Sequence, residues 1–152
     1  MKINSEKNTF SKLFDVSRET LTKLIQYELK IISFNEKSNI IGKSTIPYIW
    51  KRHFADSAKI LSFITTIVKK NENRKPTICD VGSGAGFPGL VILILNQEKK
   101  VNFHMTLIES NKKKCSFLRD LIKCFKIKAE VINDRAENLS EKFDIIIGRA
   151  VA

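Results

Sequence analysis

Apolar residues at Leu21, Leu24, Ile25, Leu29 and Ile32 recur at the spacing of one helical face, which predicts a helix through this region. The polar run from Asn35 to Asn39 breaks the pattern and predicts a loop. A second helical pattern runs from Ile49 to Val68 and turns Trp50, Phe54, Ala58, Leu61 and Ile64 inward. The polar stretch from Asn71 to Pro76 then reads as a connector. From Thr77 the periodicity changes, and short apolar runs alternate with amphipathic stretches. The expected strands are Thr77–Val81, Asn102–Glu109, Lys128–Ile132 and Phe143–Gly148. The expected helices are Gly89–Leu95 and Lys112–Phe125, the latter with Cys115, Leu118, Leu121, Ile122 and Phe125 on one face.

This alternation implies an α/β fold with a parallel sheet and right-handed crossovers. The expected strand order is 3-2-1-4. Residues 1–76 would form a helical cap and residues 77–152 the α/β core, together one domain. The run Ile145-Ile146-Ile147 reads as a fully buried strand. In a four-stranded sheet it would nevertheless lie on an edge, and an apolar edge invites aggregation. Further strands, or a partner covering that edge, are therefore expected.

Composition narrows the class. The chain has 152 residues and is 43% hydrophobic, enough for one globular core. No apolar run approaches the roughly 20 residues of a membrane span, and the N-terminus has no apolar signal core. A cytoplasmic protein with no membrane partner is expected. Cys79, Cys115 and Cys124 show no C-x-x-C spacing, and with only His53 and His104 beside them no metal site is spelled out. Buried, reduced thiols and a monomer are expected. The net charge of +11 favours a polyanionic partner. Lysine outnumbers arginine 21 to 6 and isoleucine and asparagine are plentiful, so an AT-rich genome accounts for part of that excess.

The stretch from Ile78 to Gly89 carries the chemistry. It reads as a strand, a glycine turn and a helix start, with Gly82, Gly84 and Gly86 in the turn. Such a turn brings backbone N–H groups and a helix N-terminus to a ligand. Pro88 suits the first helical turn. The dinucleotide fingerprint is G-x-G-x-x-G, whereas here the glycines run G-x-G-x-G and Phe87 follows. Asp80 at the strand end would repel a pyrophosphate and suit a ligand carrying an ammonium group. S-adenosylmethionine (SAM) has an amino-acid head, a sulfonium and no phosphate. A nicotinamide-dependent oxidoreductase is the weaker alternative on the same grounds.

Ligands of parallel sheets sit beyond the carboxyl ends of the strands. Glu109 ends the second strand, where its carboxylate suits the two ribose hydroxyls. The loop from Asn133 to Glu137 follows the third strand and is placed to meet an adenine edge. Arg149 follows the fourth, where an arginine reads as an ion-pair partner before it reads as a ligand contact. Lys112, Lys113 and Lys114 open the second core helix against its macrodipole, a repulsion that a nearby polyanion would offset.

The run Asp80-Val-Gly-Ser-Gly-Ala-Gly-Phe-Pro-Gly89 resembles motif I of the bacterial 16S rRNA guanine-N7 methyltransferases, the RsmG (GidB) family. Arg52-His53-Phe54-Ala55-Asp56-Ser57 is similar to the R-H-x-x-D-S signature of that family. Glu109-Ser110, Lys113-Lys114, Phe117-Leu118-Arg119, Asp134-Arg135-Ala136-Glu137, Phe143-Asp144 and Arg149-Ala150-Val151-Ala152 continue the resemblance, which covers the chain from about Ile40 onward. It implies a class I SAM-dependent methyltransferase fold and methyl transfer to N7 of a guanine in small-subunit rRNA. The small ribosomal subunit is the implied partner. The implied cofactor contacts fall on Gly82, Phe87, Ala136, Glu137 and Arg149. The residues themselves add Asp80, Gly84, Gly86 and Glu109. The resemblance also implies further strands after Ala152, so the chain reads as a C-terminally shortened member. A shortened chain that binds SAM or RNA without catalysis is the rival reading. The resemblance leaves His53 and Asp56 between a structural role and the RNA side.

Overall fold

The computed structural model describes residues 2–149. Helices α1 (Lys2–Leu13), α2 (Arg18–Lys37) and α3 (Ala55–Lys70) precede an alternating core. That core runs β1 (Thr77–Val81), α4 (Gly89–Lys99), β2 (His104–Ile108), α5 (Lys112–Cys124), β3 (Glu130–Ile132) and β4 (Ile145–Gly148). The sheet is parallel throughout, in the order β3-β2-β1-β4. Class and strand order match the expectation. The strands are shorter than predicted, because β2, β3 and β4 each begin two residues later than the apolar runs.

Helix α4 is buried on every side from Gly89 to Leu95, which is why its sequence shows no polar face. Gln97 Nε2 donates to the Phe125 carbonyl at 2.8 Å and joins α4 to the end of α5. Helix α2 crosses both, with Phe34 against Phe117 and Tyr27 against Phe125. Cap and core therefore share one apolar cluster.

Several expectations needed correction. The buried stripe of α2 is Thr20, Leu24, Tyr27, Ile31 and Asn35, while Leu29 is 59% exposed. Apolar periodicity missed this phase because two of the buried positions, Thr20 and Asn35, are polar and held by hydrogen bonds through their side-chain oxygens. Thr20 Oγ1 donates to Glu98 Oε2 at 2.5 Å, and Asn35 Oδ1 accepts from the N–H groups of Ile40 and Ile41 at 2.7 and 3.0 Å. The predicted loop at Asn35 is thus the last helical turn followed by a side-chain-closed turn. The predicted helix over Ile49–Val68 is a π-helical turn Ile49–Phe54 followed by α3, and a 3₁₀ segment Lys43–Tyr48 precedes it. Trp50, Phe54, Ala58, Leu61 and Ile64 are all buried as expected. Pro88 precedes α4 rather than starting it, and the Phe87–Pro88 peptide is cis. Cys79 and Cys115 are buried, but Cys124 is exposed at the end of α5. Strand β4 lies at the edge, and Ile146 is 71% exposed instead of buried. Alternate strand residues face opposite sides, and the side carrying Ile146 is left uncovered.

Candidate functional site

The carboxyl ends of β1 and β2 carry the glycine loop. Gly82 N–H and Ser83 N–H both donate to the Ile108 carbonyl, at 2.9 and 3.1 Å, so the loop hangs on the end of β2. Gly82, Gly84 and Gly86 have φ of 68, 55 and 102°, a region closed to most side chains. The loop passes directly into α4, where Leu90 N–H donates to the Gly86 carbonyl at 2.8 Å.

Two acids hold this loop from below. Asp80 has no exposed surface, and its Oδ2 accepts from Gly89 N–H at 2.9 Å at the start of α4. Its Oδ1 is buried without a hydrogen-bond partner. Burial pushes the Asp80 carboxyl up to about 7, with the Gly89 N–H opposing the rise and Glu109 adding to it. Glu109 is 7% exposed, with Oε1 accepting from Gly84 N–H at 3.0 Å and Oε2 from Asn111 N–H at 2.7 Å. The sequence reading gave both acids direct ligand contacts. In the structure Asp80 offers no surface to a ligand, while Glu109 takes one backbone amide on each oxygen and keeps a small exposed edge with acceptor sites left over. Each positions the loop.

The cap reaches the same loop. The buried Tyr27 hydroxyl donates to the Ala85 carbonyl, and its ring stacks on Phe54 with centroids 5.5 Å apart. Burial, reinforced by Asp80, raises the phenol well above its ordinary value, so it remains a donor. Tyr27 was missed in the sequence, since a tyrosine inside a helical pattern gives no sign of a carbonyl partner 58 residues away. Tyr27→Phe leaves the buried Ala85 carbonyl unpaired. It is expected to lower the unfolding free energy by about 1–2 kcal/mol, read from urea unfolding.

A cleft of about 230 Å³ opens beside the loop, lined by Val81, Gly82, Ile108, Ser110, Asp134, Arg135, Ala136 and Glu137. Asn133 ties the loop after β3 to the end of β2 by donating to the Glu109 and Ser110 carbonyls at 3.1 and 2.9 Å. Asp134 Oδ1 accepts from Asn138 at 2.8 Å and from Arg135 N–H at 2.7 Å, which holds its carboxyl below the usual range. Of the predicted residues, Gly82, Ala136 and Glu137 meet in this cleft. A larger cavity of about 430 Å³, lined by residues such as Phe14, Leu61, Val68, Leu95 and Lys100, lies toward the opposite ends of the strands. It lacks the glycine loop and the acids, so the smaller cleft is the candidate site.

Phe87 and Arg149 form a second group. The Phe87 ring stacks on His53 with centroids 4.6 Å apart and 10° between planes. Arg149 Nη1 lies 2.9 Å from His53 Nδ1, and Nη2 lies 3.6 Å from Asp56 Oδ2. The Arg52–Ser57 signature and the end of β4 are thus joined across 96 residues. The rest of that motif, Ala150–Ala152, lies outside the described residues. Among the described residues, no group of three metal-ligating side chains occurs and no helix is long and apolar enough to cross a membrane.

Comparison with known proteins agrees with this architecture. The plantazolicin methyltransferase BpumL, solved in complex with SAH, aligns over 86% of this chain and 50% of its own with a TM-score of 0.51 at 17% identity, a likeness of fold. Ribosomal RNA small subunit methyltransferase G of Bartonella tribocorum is 38% identical over 140 residues, which cover 90% of this chain and 62% of the relative. Its counterpart in Bartonella henselae is 44% identical over 96 residues, covering 63% of this chain and 40% of the relative. The chain therefore spans about two fifths to three fifths of the curated relatives it matches. A family model described as GidB, rRNA small subunit methyltransferase G, matches residues 20–152 and so takes in most of α2, upstream of where the sequence resemblance begins. With a class I methyltransferase core and a match over nearly its whole length, the chain belongs to the GidB family of rRNA small subunit methyltransferases.

Proposed function

We propose that this chain binds SAM in the cleft beside Gly82 and serves the methylation of guanine N7 in small-subunit rRNA. The observation that carries the reading is the charge of the cleft. Its only cation among the described lining residues is Arg135, which lies 3.8 Å from Glu137, while Asp134 and Glu137 line it and Asp80 and Glu109 lie under its loop. A pyrophosphate would be repelled there, which disfavours the nicotinamide alternative. A ligand with an ammonium, a sulfonium and no phosphate fits. The orphaned Asp80 Oδ1 fits the same ligand, since a cation above the loop stabilises a buried carboxylate.

On this reading the Gly82 backbone, Ala136 and Glu137 hold the cofactor, and Phe87 and Arg149 border it. Asp80 acts through the loop it positions, and so does Glu109, with Gly84 and Gly86 shaping the turn. The bound cofactor supplies a methyl group on an electrophilic sulfonium. Guanine N7 presents a lone pair without losing a proton, so the site needs no general base. It acts by holding donor and acceptor in line and keeping water away. Lys112 and Lys113 are exposed at the start of α5, next to Ser110 on the cleft wall, where they suit an RNA backbone.

Calorimetry with SAM and with NADH tests the site. Binding of SAM alone is expected, weakened at least tenfold in Gly82→Val because valine is strained at a φ of 68°. Heat with NADH and none with SAM would reverse the reading. Labelled methyl transfer to unmodified small subunits, measured beside a chain extended to the relatives' length, separates donor binding from catalysis. Transfer only by the longer chain would make this polypeptide the donor-binding portion of the enzyme.

A further inference from the structure

We propose that His53 is a positioning residue of the donor site: stacked on Phe87 and accepting a hydrogen bond from Arg149, it locks the glycine loop to the end of β4. The inference rests on the reading that Phe87 and Arg149 border the bound donor.

The proton positions follow from the partners. A guanidinium only donates and keeps its charge in proteins. Arg149 Nη1 at 2.9 Å from His53 Nδ1 therefore requires a lone pair on Nδ1. The ring proton then sits on Nε2, which faces Thr45 Oγ1 at 3.2 Å. The Thr45 hydroxyl in turn donates to the Gly42 carbonyl at 2.7 Å, so the Nε2–H and the hydroxyl each have an acceptor. The arrangement specifies one tautomer of a neutral ring.

The charged groups around the ring support that state. Burial and the neighbouring Arg149 and Arg52 lower His53 to about 4, and only Asp56 opposes them. The bond to Arg149 is then intact across the physiological range. Arg149 is gripped twice from the cap, by His53 and by Asp56 three residues on. The same imidazole covers the Phe87 ring, which follows directly on the glycine turn. One side chain thus fixes two elements that arise 62 residues apart in sequence, at Phe87 and Arg149.

The first test needs no ligand. His104→Gln leaves His53 as the single histidine. Nitrogen-15 correlation spectra of the histidine-labelled protein should show a bare Nδ1 and a protonated Nε2, unchanged from pH 8 to about pH 5. A proton on Nδ1, or titration near the ordinary 6.5, would overturn the proposal. Calorimetry with SAM supplies the second test. His53→Phe keeps a ring on Phe87 but loses the acceptor, and is expected to bind at least tenfold more weakly. His53→Asn, which retains an acceptor near the Nδ1 position, should recover part of that loss. Adding Arg149→Gln to His53→Phe should cost less binding than Arg149→Gln costs in the unsubstituted protein. Full affinity in His53→Phe, or independent additive losses, would sink this role alone. Absence of binding by the unsubstituted protein would remove the site reading and this role together.

Discussion

Gly86→Ala is expected to destabilise the chain by about 2–5 kcal/mol and to abolish SAM binding. A Cβ at Gly86 would lie 2.3 Å from the Tyr27 hydroxyl and 2.7 Å from Leu90 Cβ, at a backbone φ of +102°. The φ strain contributes about 1–2 kcal/mol, and forcing a methyl group into packed surroundings about 1–3 more. Tyr27 cannot yield cheaply, because its ring is buried against Phe54 and Phe87 and its hydroxyl holds the Ala85 carbonyl. Gly84→Ala separates the two terms. Its Cβ would meet only the Gly82 carbonyl, at 3.8 Å, so strain at φ +55° is all that remains. It should lose about 1–2 kcal/mol. Urea unfolding of both variants checks the difference. Equal losses would mean that contact between cap and loop plays no part in closing the turn.

Asp80→Asn should flatten the pH dependence of stability and weaken donor binding at the same time. The carboxyl of Asp80 ionises near 7 in the fold against an ordinary 3.8. Between these values the folded state holds the proton and the unfolded state has lost it. Raising the pH through that window therefore withdraws stability from the fold, and below about 4 both states are protonated and nothing is lost. Asparagine has no such titration, and its carbonyl can still accept from Gly89 N–H. The stability of Asp80→Asn relative to the unsubstituted protein should rise by roughly a few kcal/mol from pH 4 to pH 7 and level off above. His53 acts in the opposite sense, since its folded value is depressed, but it is common to both proteins and cancels in the difference. Affinity for SAM should fall at least tenfold in Asp80→Asn, because the charge beneath the loop is gone. Urea unfolding across the pH range and calorimetry at pH 8 test the two halves. A pH-independent difference in stability would show that Asp80 ionises normally. Such a pair of effects is expected where a buried charge is retained for binding at the expense of stability.

The core was legible in the sequence because its signals are local. Apolar runs bounded by turns located β1 to β4, and alternation with helices ordered them. The glycine loop was legible from its spacing, since positive φ is written into glycine itself. The cap was read less well. The helix α1 was not predicted. On α2, Leu24 is buried and Leu21, Ile25 and Ile32 flank the core as read. Leu29 is exposed, however, and the centre of the stripe is shifted because Thr20 and Asn35 are buried through hydrogen bonds. The triple isoleucine of β4 was read as buried on both faces, whereas only one face is covered. Apolar patterning records what can be buried, and it does not record which neighbour arrives to bury it.

The amino-acid order by itself determined the element types, the parallel α/β sheet, the glycine turn and the family signatures. These depend on backbone preference and residue spacing within a few turns of chain. Only the tertiary structure decided what the charged and aromatic residues touch. Asp80 and Glu109 became supports of the loop, Tyr27 became its anchor, and His53 became the link between Phe87 and Arg149. Hydrogen bonds and ring stacking act over a few ångströms in space, and the partners here lie tens of residues apart along the chain.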